Sequence, residues 1–176
     1  MLITKKWAMP NKNTFSIKII KFWILDKLTE GVWLDPFARQ SPFKTKMITN
    51  DLNPKFKTDY NIKAIDFLKK FEDETITGIV FDPPYTPRQL KESYNNIGLS
   101  LHDTKSSVWA KWKDEIARVL KPNGICLSFG FNSSGLGKKR NFTQKEILLI
   151  SHGGNHNDTI CTYEIKNYQK QKLNDN

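Results

Sequence analysis

Short apolar runs alternate along the chain with longer segments whose apolar residues recur every three or four positions. Ile17, Ile20, Ile24 and Leu28 recur at helical spacing, with Ser16 as the cap and Gly31 as the stop. Val32, Trp33 and Leu34 form a strand-like run stopped by Asp35 and Pro36. Residues 46–49 form a second, stopped by Asn50 and Asp51, and residues 66–71 read as a short helical turn. Residues 78–81 are a buried-strand run that ends in Asp82, Pro83 and Pro84. Residues 108–120 predict a helix with Trp109, Trp112, Ile116, Val119 and Leu120 on one face. A turn at 121–124 leads into a strand at 125–129. Two last strands, 147–151 and 159–165, flank a turn rich in glycine and asparagine. Together these predict an α/β domain with a mostly parallel sheet, closed by a C-terminal antiparallel hairpin.

The length of 176 residues fits one domain, expected over residues 1–165, followed by a polar tail at 166–176. Lys and Arg number 28 against 18 Asp and Glu, a net charge of +10, and aromatics make up 12%. A folded basic domain of this kind points to a polyanionic partner, nucleic acid first. Cys126 and Cys161 each lie in an apolar run, which excludes a disulfide framework and a zinc quartet and fits buried thiols in a reducing compartment. No apolar stretch reaches the roughly 20 residues of a membrane span, and no signal peptide is visible, so the expectation is a cytoplasmic protein with no membrane partner.

Asp35, Asp51, Asp66 and Asp82 stand 16, 15 and 16 residues apart, three of them at or just behind strand-like runs. Carboxyl ends of parallel strands open onto one crevice, so such acids would line a single site. Any one of them could equally be a turn former or a helix cap. The three residues after Asp82 separate the readings. Pro83 and Pro84 fix the backbone and remove two N–H donors, leaving a carboxylate, rigid carbonyls and the Tyr85 ring. That pocket suits a planar ring with an exocyclic amino group, which donates to Asp82 and to a proline-region carbonyl while Tyr85 stacks on it.

On these residues the chain resembles the AdoMet-dependent amino methyltransferases that modify N6 of adenine in nucleic acid, a Rossmann-like family. Asp82, Pro83, Pro84 and Tyr85 look like the family's catalytic tetrapeptide. The resemblance implies AdoMet as cofactor and a set of residues to bind it. Phe15 and Ser16, continuing into Ile17 and Lys18, look like the N-terminal motif of the cofactor pocket, with Trp7, Ala8, Met9 and Pro10 just before. Asp35, Pro36, Phe37 and Ala38 resemble the motif that holds the methionine part. Asp51 stands where the family binds the ribose hydroxyls, and Asp66 and Phe67 where it contacts the adenine. One departure is visible: after Ala38 the family continues into a glycine-containing turn, whereas this chain continues Arg39-Gln40-Ser41-Pro42. No metal is expected, since the sulfonium is itself the electrophile, and His152 and His156 lack a clear fourth ligand.

Two flanking loops are expected to meet nucleic acid. One, at 86–107, carries Arg88 and Lys91 with His102, Lys105 and Tyr94; the other, at 132–142, is expected to be flexible and carries Lys138, Lys139 and Arg140. Trp109 and Trp112 are expected as core anchors. A separate target-recognition domain is not expected, since Asp66 and Asp82 stand only 16 residues apart. The reading is a minimal adenine-N6 DNA methyltransferase of relaxed or short-context specificity, an orphan or mobile-element enzyme, with a homodimer or a partner subunit as a source of specificity. The alternatives are an RNA adenine-N6 methyltransferase and a catalytically weak nucleic-acid-binding subunit.

Overall fold

The computed structural model describes residues 1–99 and 107–168. Seven strands form one sheet: β1 (Leu2–Trp7), β2 (Trp33–Asp35), β3 (Ile48–Thr49), β4 (Ile76–Phe81), β5 (Leu120–Gly130), β6 (Phe142–Ser151) and β7 (Thr159–Lys166). Their order is β1-β6-β7-β5-β4-β2-β3, and β7 alone runs antiparallel to its neighbours. This is the α/β domain with a C-terminal antiparallel hairpin that the pattern predicts.

Alternation along the central strands divides the core into two layers. Val80, Leu127 and Phe129 face α1 (Lys18–Lys27), which buries Ile20, Trp23 and Ile24. Ile79, Phe81 and Cys126 face the other way, onto α2 (Ala64–Leu68), α3 (Pro87–Asn95) and α4 (Ser107–Val119). Trp112, Ile116 and Val119 are the buried face of α4. Both cysteines are buried free thiols.

Several boundaries differ from the sequence expectation. Ser16 does not cap α1: it lies in a 3-10 turn, Thr14–Ser16, and Ile17 takes the cap position without a side-chain bond. The helix stops at Leu28, already extended, before Gly31 at φ +124° is reached. A Cβ at Gly31 would collide with Thr77, so that glycine serves the close approach of β4 rather than the helix end. The turn at 121–124 is a bulge inside β5: Ile76 pairs with Leu120, then Gly78 with Ile125, and Asn123 absorbs the extra length at φ +63°. Lys166 belongs to β7 rather than to a frayed tail, donating to the Leu120 carbonyl at 2.7 Å and to Glu74 at 2.9 Å.

Two elements carry little sequence signal. Five of the six residues of β1 are exposed, so no alternation marks it; its partner β6 supplies the pairing. In α3 only Leu90 is buried, yet Thr86 accepts from Gln89 N at 3.2 Å and Pro87 opens the first turn. The expected loop at 86–107 is therefore helical over its first half; His102 and Lys105 lie outside the described residues.

The crossover from β5 to β6 has no α-helix. Residues 131–141 run down the sheet instead, with one 3-10 turn at Lys138–Arg140. The segment is tethered, not free: the Glu164 carboxylate accepts from Leu136 N at 2.7 Å and Gly137 N at 3.0 Å, and Leu136 is buried.

Candidate active site

A cleft of about 810 Å³ opens at the carboxyl ends of the parallel strands. Each strand contributes where it stops: Pro36 and Phe37 after β2, Asn50 and Asp51 after β3, Asp82 to Tyr85 after β4, Phe131 after β5 and His152 after β6. Pro10, Lys12 and Thr14 close the side before α1.

Asp82 leaves the buried strand β4 and is partly enclosed at the cleft wall. Burial pushes its carboxyl above the ordinary value, while bonds from Tyr85 and Thr14 and the charge of Arg39 pull it back. The Tyr85 hydroxyl donates to Asp82 Oδ1 at 2.6 Å. Burial, and then that same carboxylate, hold the phenol well above its usual range. Tyr85 is fixed from two more sides: its backbone N–H donates to Gln89 Oε1 at 2.7 Å, and its ring meets Phe131 edge-on at 4.8 Å. Trp109 donates through Nε1 to the Pro84 carbonyl at 2.9 Å. It is thus a strut for the tetrapeptide as well as a partner of the Trp112 ring.

Asp51 accepts from Asn53 N at 2.8 Å through Oδ1 and from Arg39 N at 3.0 Å through Oδ2. Burial raises its pKa against those bonds. Arg39 itself has φ +44°, the left-handed region that glycine enters most freely. The turn after β2 therefore keeps a glycine-like backbone with an arginine on it. The guanidinium donates to the Lys12 carbonyl at 3.1 Å and lies over the Phe56 ring at 5.8 Å, tying three loops together. Asn50, fully buried, binds the Pro36 and Ile62 carbonyls through Nδ2 and so locks β2 to the segment before α2.

Other expected residues lie elsewhere. Asp35 is not a cleft wall: it is fully buried beneath it, with Oδ1 accepting from Phe37 N at 3.3 Å and Oδ2 without a partner among the described residues. Burial pushes its pKa up to about 8. Asp66 is exposed on α2, and Phe67 is buried between Tyr60 and Phe71; because α2 starts at Ala64, it is Ala64 that lines the cleft. Phe15, Ser16 and Ala38 line a small side pocket of about 20 Å³ next to Asp82. Ala8 acts through its backbone, its carbonyl accepting from His152 Nδ1 at 2.9 Å, and Met9 is 68% exposed. His152 completes that bridge by accepting from the Thr159 hydroxyl at 2.9 Å, a structural role. Among the described residues no group of three His, Cys, Asp or Glu could hold a metal.

Arg88 and Lys91 are exposed on α3, whose Gln89, Glu92 and Ser93 line the cleft, and Arg88 pairs with Glu92 at 2.8 Å. The basic triplet sits at the other end of the sheet. Phe142 pairs with Lys166, and Ile165 with Ile125, so residues 138–140 lie by the entry ends of the parallel strands. Arg140 is also taken, bonding Asp114 at 2.7 Å and the Leu136 and Ala110 carbonyls. The structure does not bring Lys138, Lys139 or Arg140 to the cleft. It brings there Arg39, Asn50, Gln89, Phe131 and the 152–157 turn, none of which forms a motif readable from spacing alone.

No protein-family model matches the chain, and no curated protein matches it in sequence. Solved structures do. A SAM-dependent methyltransferase of Methanosarcina mazei superposes with TM-score 0.56 at 12% identity, over 84% of this chain and 98% of that one. The 1,6-didemethyltoxoflavin-N1-methyltransferase of Burkholderia thailandensis, with bound 1,6-didemethyltoxoflavin and S-adenosylhomocysteine, gives 0.56 at 12% over 85% and 76%. The N-methyltransferase NodS of Bradyrhizobium japonicum, with S-adenosylhomocysteine, gives 0.55 at 13% over 89% of each chain. On this likeness, the chain has the Rossmann-like fold of SAM-dependent methyltransferases.

Proposed function

We propose that this chain transfers the methyl group of AdoMet to the exocyclic N6 of adenine in DNA. The observation that carries the reading is the exit of β4: the Asp82 carboxylate, two prolines and Tyr85 open onto the same cleft as Asp51.

The residues present fit AdoMet. Asp51 is pre-set by two backbone N–H bonds, as an acceptor for ribose hydroxyls must be. Pro36 and Phe37 would hold the methionine part, and Pro10 and Thr14 would close over it. When bound, AdoMet supplies a methyl group on a sulfonium, which needs no further activation.

The chain's own residues then act on the amine. The N6 lone pair is delocalised into the ring and is a poor nucleophile. Accepting its two N–H bonds at Asp82 and at a carbonyl localises that pair, an electrostatic effect set up before reaction. Trp109 holds the Pro84 carbonyl, so the Pro83 carbonyl is assigned as the second acceptor. The incoming amine takes the place of the Tyr85 hydroxyl on Asp82. As the N–C bond forms, the methyl carbon–sulfur bond would break with the neutral thioether as leaving group, and one N–H proton would leave by way of Asp82. Alignment of nitrogen, methyl carbon and sulfur does the remainder, after the base has left its stack at a cost of a few kcal/mol.

Transfer of labelled methyl from AdoMet to DNA and RNA of matched sequence, followed by nucleoside analysis, tests this. N6-methyladenine in DNA is expected. Label on a cytosine amino group, or on neither polymer, overturns the reading; label on RNA alone replaces DNA as the substrate.

A further inference from the structure

We infer that the rim beside the cleft binds unpaired nucleic acid, with Trp7 as the stacking platform for a base that flanks the target; this rests on the methyl-transfer reading above. Trp7 is the last residue of β1, 61% exposed, and pairs with Ser151 at the carboxyl end of β6. The turn after Ser151 lines the cleft with Asn155, His156 and Asn157. A Cβ placed on Gly153 would stand 3.5 Å from Trp7 Nε1, so the indole lies against that turn.

The strand order gives the track its length. From β4, which carries Asp82, the sheet steps through β5, β7 and β6 to β1. Four steps of roughly 4.8 Å make about 19 Å, the span of five or six stacked nucleotides at about 3.4 Å each. Phe131, 37% exposed, stands on the first of those steps. Lys5 shares its strand face with Trp7, and Lys12 lines the cleft. Ile147 and Leu149 on the same side of β6 are only half-buried, because the crossover at 131–141 lacks a covering helix. Exposed aromatic rings interleaved with lysines, on a chain of net charge +10, match the chemistry of single strands. In a duplex both faces of each base are already stacked, so an indole at the rim has nothing to receive.

The test is fluorescence anisotropy with labelled oligonucleotides of roughly a dozen nucleotides. The arms are single-stranded DNA, single-stranded RNA and duplex DNA of one sequence. Trp7→Ala should weaken single-strand binding about tenfold and leave duplex binding within about twofold. Trp7→Phe should restore most of the loss. Phe22→Ala, an equally exposed aromatic on α1, should change nothing. A larger loss on RNA than on DNA would assign the 2′-hydroxyl polymer. Equal single-strand affinity in wild type and Trp7→Ala overturns the inference, as does a preference for duplex. So does a dimer in sedimentation that Trp7→Ala dissociates, since a second copy would then cover this face. Binding needs no cofactor or turnover: Trp7-dependent binding without methyl transfer would sink the proposed reaction and leave the platform standing.

Discussion

Asp82 and Tyr85 share a single short bond, and that bond frames what each substitution reads. Asp82→Ala removes the amine acceptor but no cleft contact to Asp51, so methyl transfer should fall at least about a thousandfold while AdoMet affinity, by calorimetry, stays within about threefold. Trp109→Phe keeps an aromatic ring, though a smaller one, and deletes one donor to the Pro84 carbonyl. It should lower kcat several-fold more than it raises KM, and cost about 1 kcal/mol in denaturant unfolding. Asp35 governs a pH effect. Its carboxyl titrates near 8 folded against an ordinary 3.8 unfolded. Between those values the unfolded chain gives up a proton that the folded chain keeps, so stability falls as pH rises, by at most about 1.4 kcal/mol per unit. Above 8 both forms are ionised and the decline stops. Melting curves at pH 5 and pH 7.5 should show it, and Asp35→Asn should flatten it. The sequence made the tetrapeptide legible because two prolines beside a carboxylate have few other uses. It could not show that Asp35 sits under the cleft while Asp51 lines it: both stand just behind strand-like runs, and only the packing of Phe37 and Asn50 separates them.

At the level of elements, the legible ones are those that bury a stripe. Strand β4, with all six residues buried, and helix α4, with an apolar face, announce themselves. Strand β1 and helix α3 do not, because each is held by partners distant in the chain or by caps rather than by its own apolar pattern. The 131–141 crossover misleads in the opposite sense. Its glycines and lysines read as a loose loop, yet Glu164, 1% exposed, anchors it through two backbone donors. Glu164→Ala should leave both donors unsatisfied and lower unfolding stability by about 2–4 kcal/mol. Glu164→Gln, which keeps one acceptor oxygen, should lose about half of that; equal losses would mean that packing, not hydrogen bonding, holds the segment.

For the molecule as a whole, the likeness to methyltransferases of 12–13% identity rests on the course of the backbone, not on shared residues. Charge obeys the same logic of ends. Lys138 and Lys139 stand by the entry ends of the strands, away from the cleft. Replacing both with Ala should leave the salt dependence of nucleic-acid binding unchanged, whereas Lys12→Ala should reduce its slope by about one phosphate contact.

The pairing of β1 with β6 also sets an order of events during synthesis. Leu2 to Trp7 leave the ribosome more than a hundred residues before their partners, Glu146 to Ser151. At roughly 5–20 residues per second the strand waits on the order of ten seconds with nothing to pair against. Ala8, just after the strand, presents the carbonyl that His152 grips, so one wall of the cleft is assembled only once His152 has emerged. A nascent chain stalled before residue 142 should therefore hold a folded α1–β4 layer and no closed pocket, and it should gain protease resistance over residues 1–10 only once β6 has emerged.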